Sequence, residues 1–156
     1  MDMDPADTVV AFLNTIDVED DIDTMANPDE WATWVESTLG IDERQTRQRR
    51  GQAYDLRTYL RAVAMGETPA RPVPVPVSVS LDTDGAQLTS ETAVGAIATA
   101  VARLSIDGRW MRVKICPADD CRWAFYDGSR NHSRQWCSMS VCGNRAKVRK
   151  HRSRTA

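Results

Sequence analysis

The first 115 residues contain no cysteine, and the chain has only two histidines, His132 and His151, both in its C-terminal tail. Neither histidine has a carboxylate pair or a nucleophile evident around it, so the sequence predicts no catalytic residues and a protein that is not an enzyme. No apolar run approaches the length of a membrane span, which excludes a spanning helix as an organising element. No internal repeat is visible. The N-terminal stretch MDMDPADTVV is acidic and has neither the basic start nor the long apolar run of a secretory signal. The expectation is therefore a cytoplasmic protein in a reducing compartment, where paired cysteines are not the default. A C-x-x-C redox motif is also missing.

The cysteines that do occur are concentrated. All four fall within the last 41 residues as two C-x4-C pairs, Cys116/Cys121 and Cys137/Cys142, with fifteen residues between the pairs. Two disulfides or four unrelated buried thiols are the plain alternatives. Two equal loops at this separation fit better as half-sites closing on one ion. Zn²⁺ suits four thiolates because they give it a closed tetrahedral shell without redox chemistry. His132 and His151 are not needed to complete that shell. Four S⁻ around Zn²⁺ carry a formal charge of −2, so the site calls for N–H donors and cations nearby. A closed shell leaves no position for water, so the metal's task is folding. So small a segment cannot bury enough apolar surface to be stable alone.

Charge divides the chain at the same place. Residues 1–111 hold nine Lys/Arg against nineteen Asp/Glu, a net of −10, whereas residues 112–156 hold eleven against three, a net of +8. The overall net of −2 hides this basic end.

The acidic part reads as a mainly α-helical domain of about four helices with a small β element, spanning 1–108. Asp4-Pro5 opens a first helix with Val9, Phe12, Leu13 and Ile16 on one face. Asn14 near its end reads as a structural hydrogen-bonding residue. The run from Asp17 to Asp23 reads as a solvated acidic loop. Asn27 and Glu30 stand at capping-box spacing before a second helix, with Trp31, Trp34, Val35 and Leu39 on its apolar face and Gly40 as its stop. A third helix is expected from about Asp42 to Met65 on Ala53, Leu56, Leu60, Val63 and Ala64. Arg44, Arg47, Arg49 and Arg50 ahead of that stripe read as an exposed face balancing carboxylates. Pro69, Pro72, Pro74 and Pro76 impose extended chain leading to an edge strand through Val77, Val79 and Leu81, ending at Asp82-Thr83-Asp84-Gly85; a linker or a polyproline ligand are the other readings. Ser90-Glu91-Thr92 opens a fourth helix through Leu104. A strand from Trp110 to Ile115 then delivers Cys116. The short connection at 106–111 predicts that the two parts pack together.

The remaining segment, 109–156, reads as a small zinc finger of treble-clef-like form with a basic C-terminal helix. Trp123, Phe125 and Trp136 are expected to form the apolar cluster under the metal, base stacking being the alternative for Trp123 or Trp136. In a helix after Cys142, Arg145, Arg149 and Arg152 share one face, and Lys147, Lys150 and Arg154 lie opposite. Such a helix gains little from core packing and suffers like-charge repulsion, so its distal half is expected to fray in isolation and to order against phosphates. A basic run attached to a rigid metal knob is the arrangement for groove docking, in contrast to a merely solvated tail. The candidate nucleic-acid contacts are Arg130, Asn131, Arg134, Asn144, Arg145, Lys147, Arg149, Lys150, Arg152 and Arg154; the sequence does not sort base contacts from phosphate contacts.

Against this reading of the residues, the segment resembles the CGNR zinc finger. The resemblance runs through Cys116, Cys121, Phe125-Tyr126-Asp127-x-Ser129-Arg130-Asn131, Arg134, Trp136-Cys137-Ser138-Met139, Cys142-Gly143-Asn144-Arg145 and Lys147. It implies one structural Zn²⁺ held by Cys116, Cys121, Cys137 and Cys142, and a double-stranded-DNA-binding role in bacterial transcription regulation. In that family the finger follows a helical ABATE domain, which the first two-thirds of this chain resembles, Phe12-Leu13-Asn14-Thr15 most directly. The charge pattern alone would equally suit RNA, or an adaptor docking on acidic protein surfaces. No membrane partner is expected, and homodimerisation is left open.

Overall fold

The computed structural model describes residues 3–155. Five α-helices and three two-stranded antiparallel sheets make up the regular structure among them. The first helix, α1 (Pro5–Leu13), begins where the sequence places it: the Asp4 carboxylate accepts the Ala6 N–H at 2.7 Å, and proline occupies the first turn. Its inner face puts Ala6, Val9, Phe12 and Leu13 in the core. The acidic run that follows is a short hairpin, β1 (Ile16–Asp17) against β2 (Ile22–Asp23), with Ile16 opposite Asp23.

That hairpin overturns the reading of Asp17 to Asp23 as wholly solvated. Asp23 grips Arg57, whose side chain is only 2% exposed. Both guanidinium nitrogens reach the Asp23 carboxylate, at 2.8 and 2.6 Å, and one also reaches the Thr15 hydroxyl at 2.9 Å. Asp23 Oδ1, which accepts one of these guanidinium bonds, also accepts the Met25 N–H at 2.9 Å. Partial burial pushes the Asp23 carboxyl up, but Arg57 and the Met25 N–H outweigh it and hold the group below its ordinary value.

Helix α2 (Pro28–Trp34) starts with the expected reciprocal cap. Asn27 accepts the Asp29 and Glu30 N–H groups and donates its amide to the Glu30 carboxylate at 3.1 Å. A wide π-type turn, Val35–Leu39, extends it to Gly40, which sits at φ +66° in the left-handed region. Trp31 and Trp34 stack with centroids 5.1 Å apart, and Phe12 tilts against both. These tryptophans form core, not a ligand cage.

Helix α3 (Arg47–Ala64) begins five residues later than its apolar periodicity suggests. The Thr46 hydroxyl caps it by accepting the Arg49 N–H. Glu43 is engaged elsewhere: its carboxylate pairs with Arg49 and accepts the Ala93 N–H at the start of α4 (Ala93–Ile106). Residues 41–46 therefore bridge two helix starts instead of lengthening one. Arg49 thus balances a carboxylate, as the basic cluster was read.

The proline-rich stretch lays Val73 and Val75 against the core, while Pro72, Pro74 and Pro76 stay exposed. It leads into β3 (Ser78–Asp82), which turns at Gly85 and pairs with a strand the sequence reading did not identify, β4 (Gly85–Thr89). Helix α4 then buries Ala93, Ile97, Ala100 and Leu104.

The passage to the cysteines differs from expectation. Trp110–Arg112 is a 3₁₀ turn, held by the Arg112 N–H on the Arg109 carbonyl, and only Val113–Ile115 is strand. This strand, β5, pairs with β6 (Ala124–Tyr126), Lys114 opposite Phe125. Val113, Ile115 and Ala124 are buried in one core with α1, α3 and α4. The hairpin that carries the first cysteine pair is thus a wall of the helical core, and the two parts pack together. The Asn14 amide closes the seam: it donates to the Ala124 carbonyl at 3.0 Å and accepts the Ala124 N–H at 2.7 Å. Arg61 adds bonds to the Leu13 and Arg122 carbonyls, both at 2.7 Å. No helix among the described residues is long and apolar enough to cross a membrane.

Candidate metal centre and basic helix

Cys116 leaves β5 fully buried, and its N–H is fixed on the Trp123 carbonyl at 2.8 Å. The Ala118 carbonyl accepts both the Cys121 and Arg122 N–H groups, which curls the loop so that Cys121 returns beside Cys116. Arg122 takes a left-handed φ of +54° to rejoin the hairpin. Of the second pair, Cys137 directly precedes Ser138, whose hydroxyl caps a π-type turn, Met139–Gly143; that turn carries Cys142 and runs directly into α5 (Asn144–Thr155). Gly143 makes this junction close: a Cβ there would lie 2.5 Å from Met139 Sδ, so the exposed methionine side chain would have to move, and 3.4 Å from Trp136 Cδ1.

All four Sγ atoms lie within 4.8 Å of one another. Cys121 and Cys137 are 3.5 Å apart, and Cys137 and Cys142 are 3.7 Å apart. These separations are far beyond the roughly 2.05 Å of a disulfide bond. They match the edge of about 3.8 Å that a tetrahedron with Zn–S bonds of about 2.3 Å requires. Donor chemistry and spacing both fit one structural Zn²⁺, and four thiolates close its shell.

The thiols are tuned as a group. Burial pushes Cys116 up, but the N–H groups of Cys137 and Ala118, with the neighbouring thiols, outweigh it and lower it overall. Burial and crowding raise Cys137, and they raise Cys142 to about 11. Four bare thiolates would repel one another, so a divalent cation is what allows all four to ionise together.

The segment between the pairs is organised by Asp127, which is fully buried. Its carboxylate accepts from Lys114 Nζ at 2.6 Å, from the Ser129 N–H and hydroxyl, and from the Arg134 N–H at 3.1 Å. Lys114 also holds the His132 and Arg134 carbonyls. Burial pushes the Asp127 carboxyl up, but the Lys114 ammonium and the Ser129 donors hold it well below the usual carboxylate range. A group depressed in the folded state stabilises the protein above its unfolded value of about 3.9, and that stabilisation is lost as pH falls through the folded value. Asp127→Asn protein is accordingly expected to unfold at lower urea than the parent at pH 7. The gap between the two midpoints should narrow steadily below about pH 4. Acid also releases the metal on which the Asp127 loop depends, so zinc content is measured at each pH; a gap that stays constant with pH while both proteins remain zinc-loaded would refute its role.

Phe125 packs in the metal-side cluster with Cys116, Ala118, Cys121 and Cys142, and Trp136 lines it. Trp123 does not: it is 38% exposed, because β6 turns the neighbouring Ala124 inward instead. The predicted three-aromatic cluster is thus two. Arg134 lies over the Phe125 ring at 4.7 Å and donates to the Trp136 carbonyl at 3.0 Å and to the Cys137 carbonyl. It braces the second cysteine pair and brings a cation towards the thiolates. Arg130 and Asn131 are exposed on the same loop. Asn144 donates to the Ser140 carbonyl at 3.0 Å.

Helix α5 carries six Lys/Arg and no acid over twelve residues. Arg145 pairs with Glu19 of the β1–β2 turn at 3.2 Å and with Asp120 of the cysteine loop at 3.5 Å, and Arg149 pairs with Asp120 at 3.5 Å. Lys147, Lys150, Arg152 and Arg154 are exposed. The sequence reading missed the Lys114–Asp127 bond and the Glu19 contact. Alternation of Lys114 with apolar residues was the only signal for the first; nothing local pointed to the second.

Residues 112–155 match the family model of the CGNR zinc finger. The match covers both cysteine pairs, the Asp127 loop and α5. No curated protein matches the chain.

Proposed function

We propose that the zinc-dependent finger is a DNA-binding module of a bacterial transcription regulator, and that the acidic helical part senses a signal or assembles the protein. The observation that carries the reading is a metal-fixed helix start from which a twelve-residue helix with six Lys/Arg and no acid projects. Rigid attachment matters because a phosphate-binding helix has to reach the groove in a defined orientation. The order of cysteine loop, second cysteine pair and helix supports a treble-clef form, and the helical part is of ABATE kind. In this reading the protein acts in the cytoplasm and is not an enzyme, which is supported by a metal whose shell four thiolates would saturate.

The test is retention of zinc-loaded protein on a randomised duplex DNA pool, followed by sequencing of the retained fraction. An enriched motif is the expected result, and a two-fold repeat within it would signify a dimer. Retention without enrichment, with structured RNA competing better than duplex, would replace the DNA reading with an RNA one. No retention at low salt would favour an adaptor whose finger docks on acidic protein surfaces.

A further inference from the structure

Five of the six basic residues of α5 fall into two groups with different surroundings, and the difference rests on contacts the sequence could not display. We infer that nucleic-acid phosphates meet the face formed by Lys147, Lys150 and Arg154, whereas Arg145 and Arg149 fasten the helix to the body of the protein. The inference rests on the nucleic-acid reading above and sorts the residues that reading leaves together.

Three observations converge on it. First, Arg145 and Arg149 already have carboxylate partners, Glu19 and Asp120, drawn from two separate loops. Among the described residues, no acidic side chain pairs with Lys147, Lys150 or Arg154. Second, the arginine face is the one that carries Val141 and Val148, 44% and 49% exposed, which gain nothing from contact with phosphate. Third, beyond the metal-bound turn at its start, the helix has little else to orient it. Its apolar residues are Ala146 and Val148, and Val148 is half exposed. A single exposed ion pair contributes at most about 1 kcal/mol, but a linked set shares the cost of ordering its side chains. The Glu19–Arg145–Asp120–Arg149 chain therefore adds to the hold of the metal-bound turn on the direction of α5, and Glu19 ties that direction to the helical part too.

The opposite face has the shape its partner needs. Lys147, Lys150 and Arg154 follow one another at three- and four-residue steps, so they form one stripe. From the first to the last the helix rises about 10 Å. Phosphates along one strand of duplex DNA advance about 3.4 Å each along the axis, so with α5 parallel to that axis the stripe spans the rise of about three of them.

The experiment compares Lys147→Gln/Lys150→Gln/Arg154→Gln with Arg145→Gln/Arg149→Gln, each as full-length zinc-loaded protein with zinc content and far-UV circular dichroism verified. Affinity for a 20-base-pair duplex is measured by fluorescence anisotropy across a salt series. Each phosphate contact contributes about 0.9 to the slope of log affinity against log salt. The triple variant should lose about two to three in slope and, for an unchanged 1 M intercept, on the order of a hundred- to a thousand-fold in affinity near 0.1 M salt. The arginine pair should keep the parental slope within about one. A slope lost in the arginine pair and kept in the triple overturns the assignment, and equal losses overturn it as well.

A second comparison keeps the assignment testable if the arginine pair misfolds. Glu19→Gln and Asp21→Asn remove the same charge from the same loop, but only Glu19 touches Arg145. If Arg145 anchors the helix, Glu19→Gln tightens DNA binding no more than Asp21→Asn does. If Glu19 instead competes with phosphate for Arg145, Glu19→Gln binds several-fold tighter than Asp21→Asn, and the assignment fails. A parental protein that binds no duplex at any salt concentration removes the nucleic-acid reading itself, a separate result from either failure.

Discussion

Cys137→Ser protein is expected to carry no zinc and to lose the finger's structure while its helical part stays folded. Serine matches the shape of cysteine, but its hydroxyl does not ionise to a ligand near neutral pH, and a structural shell with three thiolates is left open. Structural zinc contributes on the order of 10–16 kcal/mol, and in modules this small that binding energy is folding energy. The loss should be confined by the architecture. Val113, Ile115 and Ala124 are buried with α1, α3 and α4, so β5 and β6 remain held by that core. What depends on the metal is the Cys116–Cys121 loop, the second cysteine pair and α5. Limited proteolysis should therefore cut the variant beyond Tyr126 and spare the chain before Val113, and metal analysis should find no bound zinc. A variant that keeps one zinc per chain and the parental cleavage pattern would remove Cys137 from the ligand set.

The second large effect concerns the acidic part. Asp23→Ala should destabilise the protein by up to about 3 kcal/mol, the low end for a buried pair, because it strands a guanidinium that cannot deprotonate and leaves it the Thr15 hydroxyl as partner. Arg57→Met should cost less. It leaves behind Asp23, which is 27% exposed and able to recover hydration, and a flexible thioether side chain fills the space of the arginine's aliphatic stem. The double variant should be more stable than Asp23→Ala alone, since no unpaired buried charge remains. Urea unfolding of the four proteins closes the cycle. Equal costs for the two single changes, adding in the double, would show that Arg57 and Asp23 are not coupled.

How much of this was legible follows from the range of each interaction. Helix starts were readable because a cap acts within three residues: Asp4, Asn27 and Thr92 each accept an N–H two or three positions ahead. The metal ligands were readable because their own spacing encodes the site. Asp23 was misread as one of several solvated acids because its partner lies 34 residues away, and composition marks it no differently from Asp20 or Asp21. Helix α3 was read too long because apolar periodicity does not reveal that Glu43 is needed at the start of α4. Trp123 was placed inside because a small zinc module needs its aromatics. The helical core supplies that support instead, through Ala124. Arg134 looked like a free donor, and its role emerges only when Phe125 and the Cys137 carbonyl come beside it.

The central claim is that zinc fixes a basic helix for DNA. The most direct measurement is the anisotropy of a labelled duplex titrated with zinc-loaded protein, and again after the metal has been stripped by a chelator. The account predicts binding that weakens steeply with salt and disappears with the metal. Binding unchanged after complete zinc removal would contradict it, because the basic residues would then act as a tail that needs no finger to present them.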